Sequence, residues 1–302
     1  MRVSNNINAL NTICNLQQNI REIAGLQHKI SSGQKMQQIS DDPSSLWKVI
    51  SIKQNLACQD QYSSNIEDGI LWLNEADSAF YSASQVMQNA LDTALSASST
   101  GSNSSDFDNY AIKVDNLIDQ LINTANTSIA DRYIFSNSKG ERPFIRQDVA
   151  EGGEEVVVNP SITEKIFNES TREVMYQISE TVGFNGKELF INSNVFSHLF
   201  ALKDALNARD SSAVNAQIEN LTNDQNLFIQ ARSKAGVKTN HLEMIRTFLE
   251  DQNTNLQKSL AGLQNTDIEA ATTELASRML TYQATLSCTA KVLQTSLLYF
   301  IS

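Results

Sequence analysis

Proline is excluded from two long stretches of this chain, residues 44–136 and 161–302. Proline has no backbone N–H and collides with the preceding turn of a helix, so stretches this long without it point to helix. The three prolines present, Pro43, Pro143 and Pro160, make up about 1% of the 302 residues, against a usual ~5%. Glycine sorts the same way, with five of eleven falling between Gly140 and Gly186. The stretch 137–194 also holds Val156-Val157-Val158 and Val174-Met175-Tyr176-Gln177-Ile178, runs rich in strand formers. It predicts a small strand-containing insertion between two helical flanks.

The flanks carry helical periodicity. Thirteen positions from 52 to 94, spaced alternately by four and three, hold nine apolar residues: Ile52, Leu56, Ile66, Ile70, Leu73, Phe80, Met87, Leu91 and Ala94. This is a heptad seam, about 65 Å long if helical throughout. Asp41-Asp42-Pro43 before it supplies an acidic N-cap and a first-turn proline. A loop near Gly101 ends it, and a third helix is predicted through Phe107, Ala111, Val114, Ile118, Leu121 and Ala125. After the insertion, Val195, Leu199, Leu202 and Leu206 mark a short helix. A long helix follows, with Leu242, Leu249, Leu256 and Leu263 every seven residues.

The two ends share a chemistry. Ile13, Leu16, Ile20, Ile23 and Ile30 keep three/four spacing apart from Gln27, and Val3, Ile7 and Leu10 precede them with a phase slip. At the other end, Thr266-Asp267-Ile268-Glu269 reads as a capping box. A seam of Leu275, Met279, Tyr282, Leu286, Thr289, Leu293 and Phe300 follows, with a slip near Leu297. From Met279 to Ser302 the only charged side chain is Lys291. A helix exposed to water usually carries a charged face, and this one has Ser, Thr, Gln and Ala there instead. Burial against other copies of the chain fits better than an ordinary bundle core, because one N-terminal helix covers one side only. The expected fold is mainly α: a long antiparallel helical bundle or coiled coil built from both chain ends, with a small β-containing inserted domain. The expected domains are 1–40 with 265–302 for assembly, 41–136 with 195–264 as a helical core, and 137–194 as a β-rich outer part.

Composition excludes several functions. Twenty-three Lys/Arg against 34 Asp/Glu give a net charge of −11 and a pI of about 4.8. No Lys/Arg run exists, so neither nucleic acid nor an anionic membrane is an expected partner. The longest apolar run, Leu297 to Ile301, is too short to span a bilayer. The first ten residues lack the apolar core of a signal peptide, so a cytosolic protein, or one exported without a cleaved signal, is expected.

The candidate chemical residues read as structural. Cys14, Cys58 and Cys288 form no Cys-x-x-Cys pair, and Cys14 and Cys288 read as small buried residues of the terminal seams. His28, His198 and His241 match no metal-ligand spacing. Trp47 and Trp72 are expected to pack along the bundle, Gly183-Phe184-Asn185-Gly186 to form a hairpin turn, and Asp115 and Asp119 to face solvent. No nucleophile–base set is legible, so no enzyme activity, metal or cofactor is expected.

At five places the residues resemble a known family. Ile30-Ser31-Ser32-Gly33 with Ser40-Asp41-Asp42-Pro43 resembles the Leu-Ser-Ser-Gly…Ser-x-Asp-Asp-Pro signature of the bacterial flagellin superfamily. Leu263 to Phe300, with Thr273-Glu274-Leu275 and Tyr282-Gln283-Ala284, is similar to its terminal helix. Three internal passages resemble its hook–filament junction branch rather than the filament branch. They are Arg132-Tyr133-Ile134-Phe135-Ser136 with Pro143-Phe144; Asn194-Val195-Phe196 leading to Leu202-Lys203-Asp204-Ala205-Leu206; and Arg232-Ser233-Lys234-Ala235-Gly236 with Asn240-His241-Leu242-Glu243. Asn137 departs from a family glycine, and Asn265-Thr266-Asp267-Ile268 from Asp-Ala-Asp-Tyr.

The resemblance implies a structural subunit of the flagellum, a junction adaptor between hook and filament. It implies export through the flagellar type III apparatus and assembly through the terminal helices. The implied partners are other copies in a ring, a neighbouring hook-associated protein, flagellin, and an export chaperone at the C-terminal helix. Two other readings are a flagellin filament subunit and a helical type III secreted effector.

Overall fold

The structure is a computed structural model that describes residues 2–35, 42–99, 104–136, 138–148, 154–162, 171–175 and 178–301. The helices are α1 (Arg2–Ser32), α2 (Pro43–Ser98), α3 (Ser104–Ala125), α4 (Val195–Asn207), α5 (Ser211–Gln264) and α6 (Ile268–Ile301). Between α3 and α4 come three antiparallel hairpins: β1 (Ser128–Ile129) with β2 (Arg132–Tyr133), β3 (Phe144–Asp148) with β4 (Glu154–Val158), and β5 (Thr171–Met175) with β6 (Ile178–Thr181). A π-helical turn, Lys187–Asn192, leads into α4. The expected mainly α fold with a small strand-containing insertion is what forms.

The chain divides into two units, Met1–Cys58 with Asp251–Ser302, and Gln59–Glu250. In the second unit the heptad seam of α2 is buried at Ile66, Leu73, Phe80, Met87 and Ala94. Ala76, Ala79, Ala83, Ala90 and Ala97 are buried too and widen that face. Opposite runs a longer repeat than the one visible at Leu242 and Leu249. Val214, Leu221, Phe228, Ala235, Leu242 and Leu249 recur every seven residues along α5, and all are buried. A repeat of seven keeps one stripe facing a partner helix.

Phenylalanines fill the space beneath the hairpins. Phe80, Phe135, Phe144, Phe190 and Phe228 are almost fully buried. The Phe190 ring stands 5.2 Å from Phe135, 5.5 Å from Phe144 and 5.5 Å from Phe228. Each buried ring contributes roughly 1.5–3 kcal/mol of gross transfer energy.

The β5–β6 hairpin seats on α2 and α5. Val174 and Val182 join Ile66, Leu73, Leu242 and Leu249 in a second buried cluster. The Asn65 amide donates to the Glu173 carbonyl at 2.8 Å, and Lys238 Nζ to the Thr181 carbonyl at 2.7 Å.

Several local expectations are corrected. The run 174–178 is not one strand: Met175 pairs with Ile178, so the chain reverses between them. Gly183–Gly186 is no hairpin turn. Asn185 Oδ1 accepts the N–H groups of Lys187 and Glu188, capping the π-helical turn. The box at Thr266 is shifted by one residue, for Asp267 Oδ1 accepts the Ala270 N–H at 3.1 Å and caps α6. Trp47 is 70% exposed, whereas Trp72 is buried as expected.

Candidate assembly surface

The first unit is organised by α1 and α6. The Ser-Ser-Gly of the N-terminal motif stops α1, because Gly33 takes φ +69°, the left-handed conformation that closes helices. The chain then pairs with the α5–α6 connection. Thr266 N–H donates to the Gly33 carbonyl at 2.9 Å, Lys35 N–H to the Gln264 carbonyl at 2.7 Å, and Gln34 bridges Asn265 antiparallel. From there the helices run antiparallel, and Arg278 of α6 meets Glu22 of α1 at 2.7 Å.

The terminal seams lie on this pair. Leu16, Ile23, Leu275 and Tyr282 are half-buried, and Ile7, Leu10, Ile13, Ile20, Met279 and Leu286 are exposed. The backbone of α1 and α6 carries Val3, Leu293, Leu297 and Phe300, whose side chains lie outside the described residues. Large aliphatic side chains in water, repeated along a helix pair, form a surface suited to contact with another molecule. Cys14, Cys58 and Cys288 are free and all exposed, which corrects the expectation of buried seam cysteines.

At the second half of the motif, Asp42 Oδ1 accepts the N–H groups of Ser44 and Ser45, both at 3.1 Å, and Oδ2 accepts the Ser45 hydroxyl at 2.6 Å. Asp42 is the N-cap of α2, and Pro43 takes the first helical position, which needs no N–H. The Ser45 and Ser44 hydrogen bonds hold the Asp42 carboxyl down to about 2. Asp41 lies outside the described residues.

The internal motif residues divide between packed and exposed positions. Arg132 lies 5.6 Å from the Trp72 ring, and Tyr133 N–H donates to the Ser138 carbonyl. Phe135 is buried, and its carbonyl accepts the Gly186 N–H at 2.8 Å. Arg232 Nε donates to Asp77 at 2.9 Å and its guanidinium covers Tyr81. Gly236, Asn240 and Glu243 are exposed on α5.

Sequence reading missed a charged clasp. Asp119 is exposed as expected, but Asp115 is half-buried, and both are paired. Arg146 of β3 bonds Asp115, Asp119 at 2.9 Å, and Glu154, and Lys203 of α4 reaches Asp115 and Glu154, both at 2.8 Å. Hydrogen bonds from Lys203 and then Arg146 hold the Glu154 carboxyl below its ordinary range. For Asp115, the Lys203 bond and Arg146 outweigh burial and do the same. Burial opposes the charge of Arg146 and of Lys203, yet their carboxylate bonds leave both raised. The clasp fastens β3–β4 to α3 and α4. His198 was also missed as a partner: its Nδ1 lies 2.7 Å from Asp224 Oδ2. Burial raises the Asp224 carboxyl, with His198 pulling the other way.

Among the described residues, no group of three His, Cys, Asp or Glu could hold a metal ion. No helix of the described residues is long and apolar enough to cross a membrane.

The fold is similar to that of flagellin-type helical subunits, and the comparisons agree. Residues 3–140 match the bacterial flagellin N-terminal helical region. Within that class, the chain is 25% identical over 288 residues to flagellar hook-associated protein 3 of Escherichia coli K12, covering 84% of this chain and 87% of that one. The fold is similar to Bacillus cereus FlgL, with a TM-score of 0.57 at 21% identity, over 70% of this chain and 99% of that one. It is also similar to the flagellar junction protein FlgL of Legionella pneumophila, with a TM-score of 0.57 at 12% identity, over 74% and 100%. The resemblance read from the motifs is borne out.

Proposed function

We propose that this protein is a structural component of the bacterial flagellum, a junction adaptor between hook and filament. The observation that carries this reading is the antiparallel α1–α6 pair, with its exposed Ile7, Leu10, Ile13, Ile20, Met279 and Leu286, inside a chain similar to a flagellar hook-associated protein. Its role is mechanical and not enzymatic. Copies assemble as a ring through α1 and α6, with a hook-associated protein on one side and flagellin on the other. Burial of ten such side chains per copy would give roughly 15–30 kcal/mol gross, before ordering entropy is subtracted. The subunit reaches the site by export without a cleaved signal, its C-terminal helix held by a chaperone. Residues 1–40 with 265–302 are the assembly part, 41–136 with 195–264 the helical support, and 137–194 the outer part.

Complementation tests this. In a strain lacking the gene, the wild-type chain should restore attached filaments, and Leu286→Asp should be exported yet leave cells without them. A carboxylate placed in each repeated apolar contact costs several kcal/mol. Normal filaments on Leu286→Asp cells would remove the terminal helices from the assembly. Purified wild-type chain should also fail to grow long filaments from seeds; growth would make it a filament subunit.

A further inference from the structure

Helix α4 is tied to its surroundings by two ionisable side chains on different sides of the helix. At about 100° per residue, His198 and Lys203 stand about 140° apart around its axis. Lys203 reaches Asp115 of α3 and Glu154 of β4, both at 2.8 Å. His198 Nδ1 lies 2.7 Å from Asp224 Oδ2 of α5. Between these ties α4 is held by apolar side chains, among them the buried Val195, Leu199, Leu202 and Leu206.

The two ties differ in burial. The Asp115 and Glu154 side chains are partly exposed, whereas Asp224 is the one charged residue buried among the described residues. Protons therefore act on them in opposite directions. Acid neutralises Asp115 and Glu154 and leaves Lys203 without a charged partner. That tie is complete above the ordinary carboxylate range and lost as pH falls through the lowered folded values. Burial disfavours the charge of Asp224, so the fold holds a proton there more tightly than water does. This tie is complete below the ordinary aspartate value and weakens as pH rises from there to the raised folded value, where a buried charge is left.

His198, a quarter exposed, offsets that charge only while it is itself protonated. The residues three and four away from His198 on α4 and from Asp224 on α5 are all uncharged. On α2 there is no Lys or Arg from Gln54 to Ser98, and Asp92 is bonded to Gln88, which meets Gln225. The π-helical turn before α4 carries Lys187 and Glu188, and α3 and β4 bring Asp115 and Glu154 to the Lys203 side. Of all these groups, only His198 acts on the Asp224 carboxyl besides burial.

We propose that α4 is a pH-gated joint, held by Lys203 on one side and by the His198–Asp224 pair on the other, and firmly closed only between an acid limit set by the first and an alkaline limit set by the second.

Amide exchange of the full-length chain from about pH 3 to about pH 9, corrected for the intrinsic rate, reads the joint. The protection of Leu199 and Leu202 is taken relative to Leu73 and Phe80 of α2. One proton exchanged per opening changes this ratio by up to about tenfold per pH unit. In the wild type the ratio should be highest in the middle of the range and at least about tenfold lower at both ends. Lys203→Met should flatten the acid limb and keep the alkaline one. Asp224→Asn, which keeps a hydrogen-bonding partner for His198, should flatten the alkaline limb and keep the acid one. If Lys203→Met does not fold, Asp115→Asn should flatten the same limb in its place. If Asp224→Asn does not fold, His198→Gln should move the alkaline limb to lower pH, because the offsetting cation is gone. A wild-type ratio that does not vary with pH overturns the proposal, as do limbs that persist unchanged in the variants.

Discussion

Gly186 lies so close to Phe135 that a Cβ there would stand 2.6 Å from Phe135 Cβ and 2.7 Å from its carbonyl oxygen. The approach lets the Gly186 N–H reach that carbonyl at 2.8 Å and ties the π-helical turn beneath the phenylalanine cluster. Backbone and Cβ atoms cannot yield as a flexible side-chain end can. Gly186→Ala should therefore destabilise the second unit by about 1–3 kcal/mol or more, as overpacking does. Urea unfolding followed by the buried Trp72 would measure it, and an unchanged midpoint would contradict the packing.

The charged clasp should make the β3–β4 hairpin sensitive to acid. Asp115 and Glu154 have folded-state pKa values below their unfolded ones. Their stabilisation is present above the ordinary carboxylate range and is lost as pH falls through the lowered folded values. Arg146→Ala should cost on the order of 1–2 kcal/mol, since the side chains are partly exposed and screened. Its denaturation midpoint should converge with that of the wild type in acid. Arg146 also lies over the Phe200 ring at 5.5 Å, and a gap independent of pH would mean that it contributes through that packing alone.

Asp42 titrates near 2, so its cap on α2 persists through mild acid. The stabilisation is complete above the usual aspartate value and disappears as pH drops toward 2. Carboxyl NMR should find this titration. Asp42→Ala should speed amide exchange at Ser44 and Ser45 at neutral pH, while leaving residues further along α2 unchanged.

Burial raises the Asp224 carboxyl, so the folded state loses stability as pH rises through the range between the unfolded and folded values. Asp224→Asn keeps a hydrogen-bonding partner for His198 without a buried charge. It should match or exceed wild-type stability at neutral pH, whereas Asp224→Ala should be less stable than wild type. Thermal unfolding of the two variants decides it; Asn as damaging as Ala would show that the charge itself is needed.

What was legible in the sequence was local. The seam of α2 could be read because one helix repeats its own pattern, and the Asp42 cap because capping involves neighbours in sequence. The clasp was not, because Arg146 and Asp115 are 31 residues apart and Lys203 and Asp115 are 88 apart, and no periodicity links them. Phe80, Phe135, Phe144, Phe190 and Phe228 come from five separate segments of the chain and show no spacing. The N-terminal half of the α5 repeat was overlooked because Val214, Phe228 and Ala235 are not leucines, although their spacing of seven was visible. The reversal at Met175–Ile178 was hidden because strand formers stand on both sides of it. The terminal seams were readable as apolar, but only the fold showed that α6 leaves Ile13 and Ile20 uncovered.

Amide hydrogen exchange along α1 and α6, compared between the purified monomer and flagella that contain the protein, bears on assembly through the chain ends. In the monomer these helices have one partner each and exposed seams, so their amides should exchange quickly while Leu73, Phe80 and Phe228 remain protected. In the assembled flagellum the same amides should slow by roughly a hundredfold or more. Strong protection of both helices in a verified monomer, unchanged on assembly, would contradict the view that the terminal pair is completed by other copies.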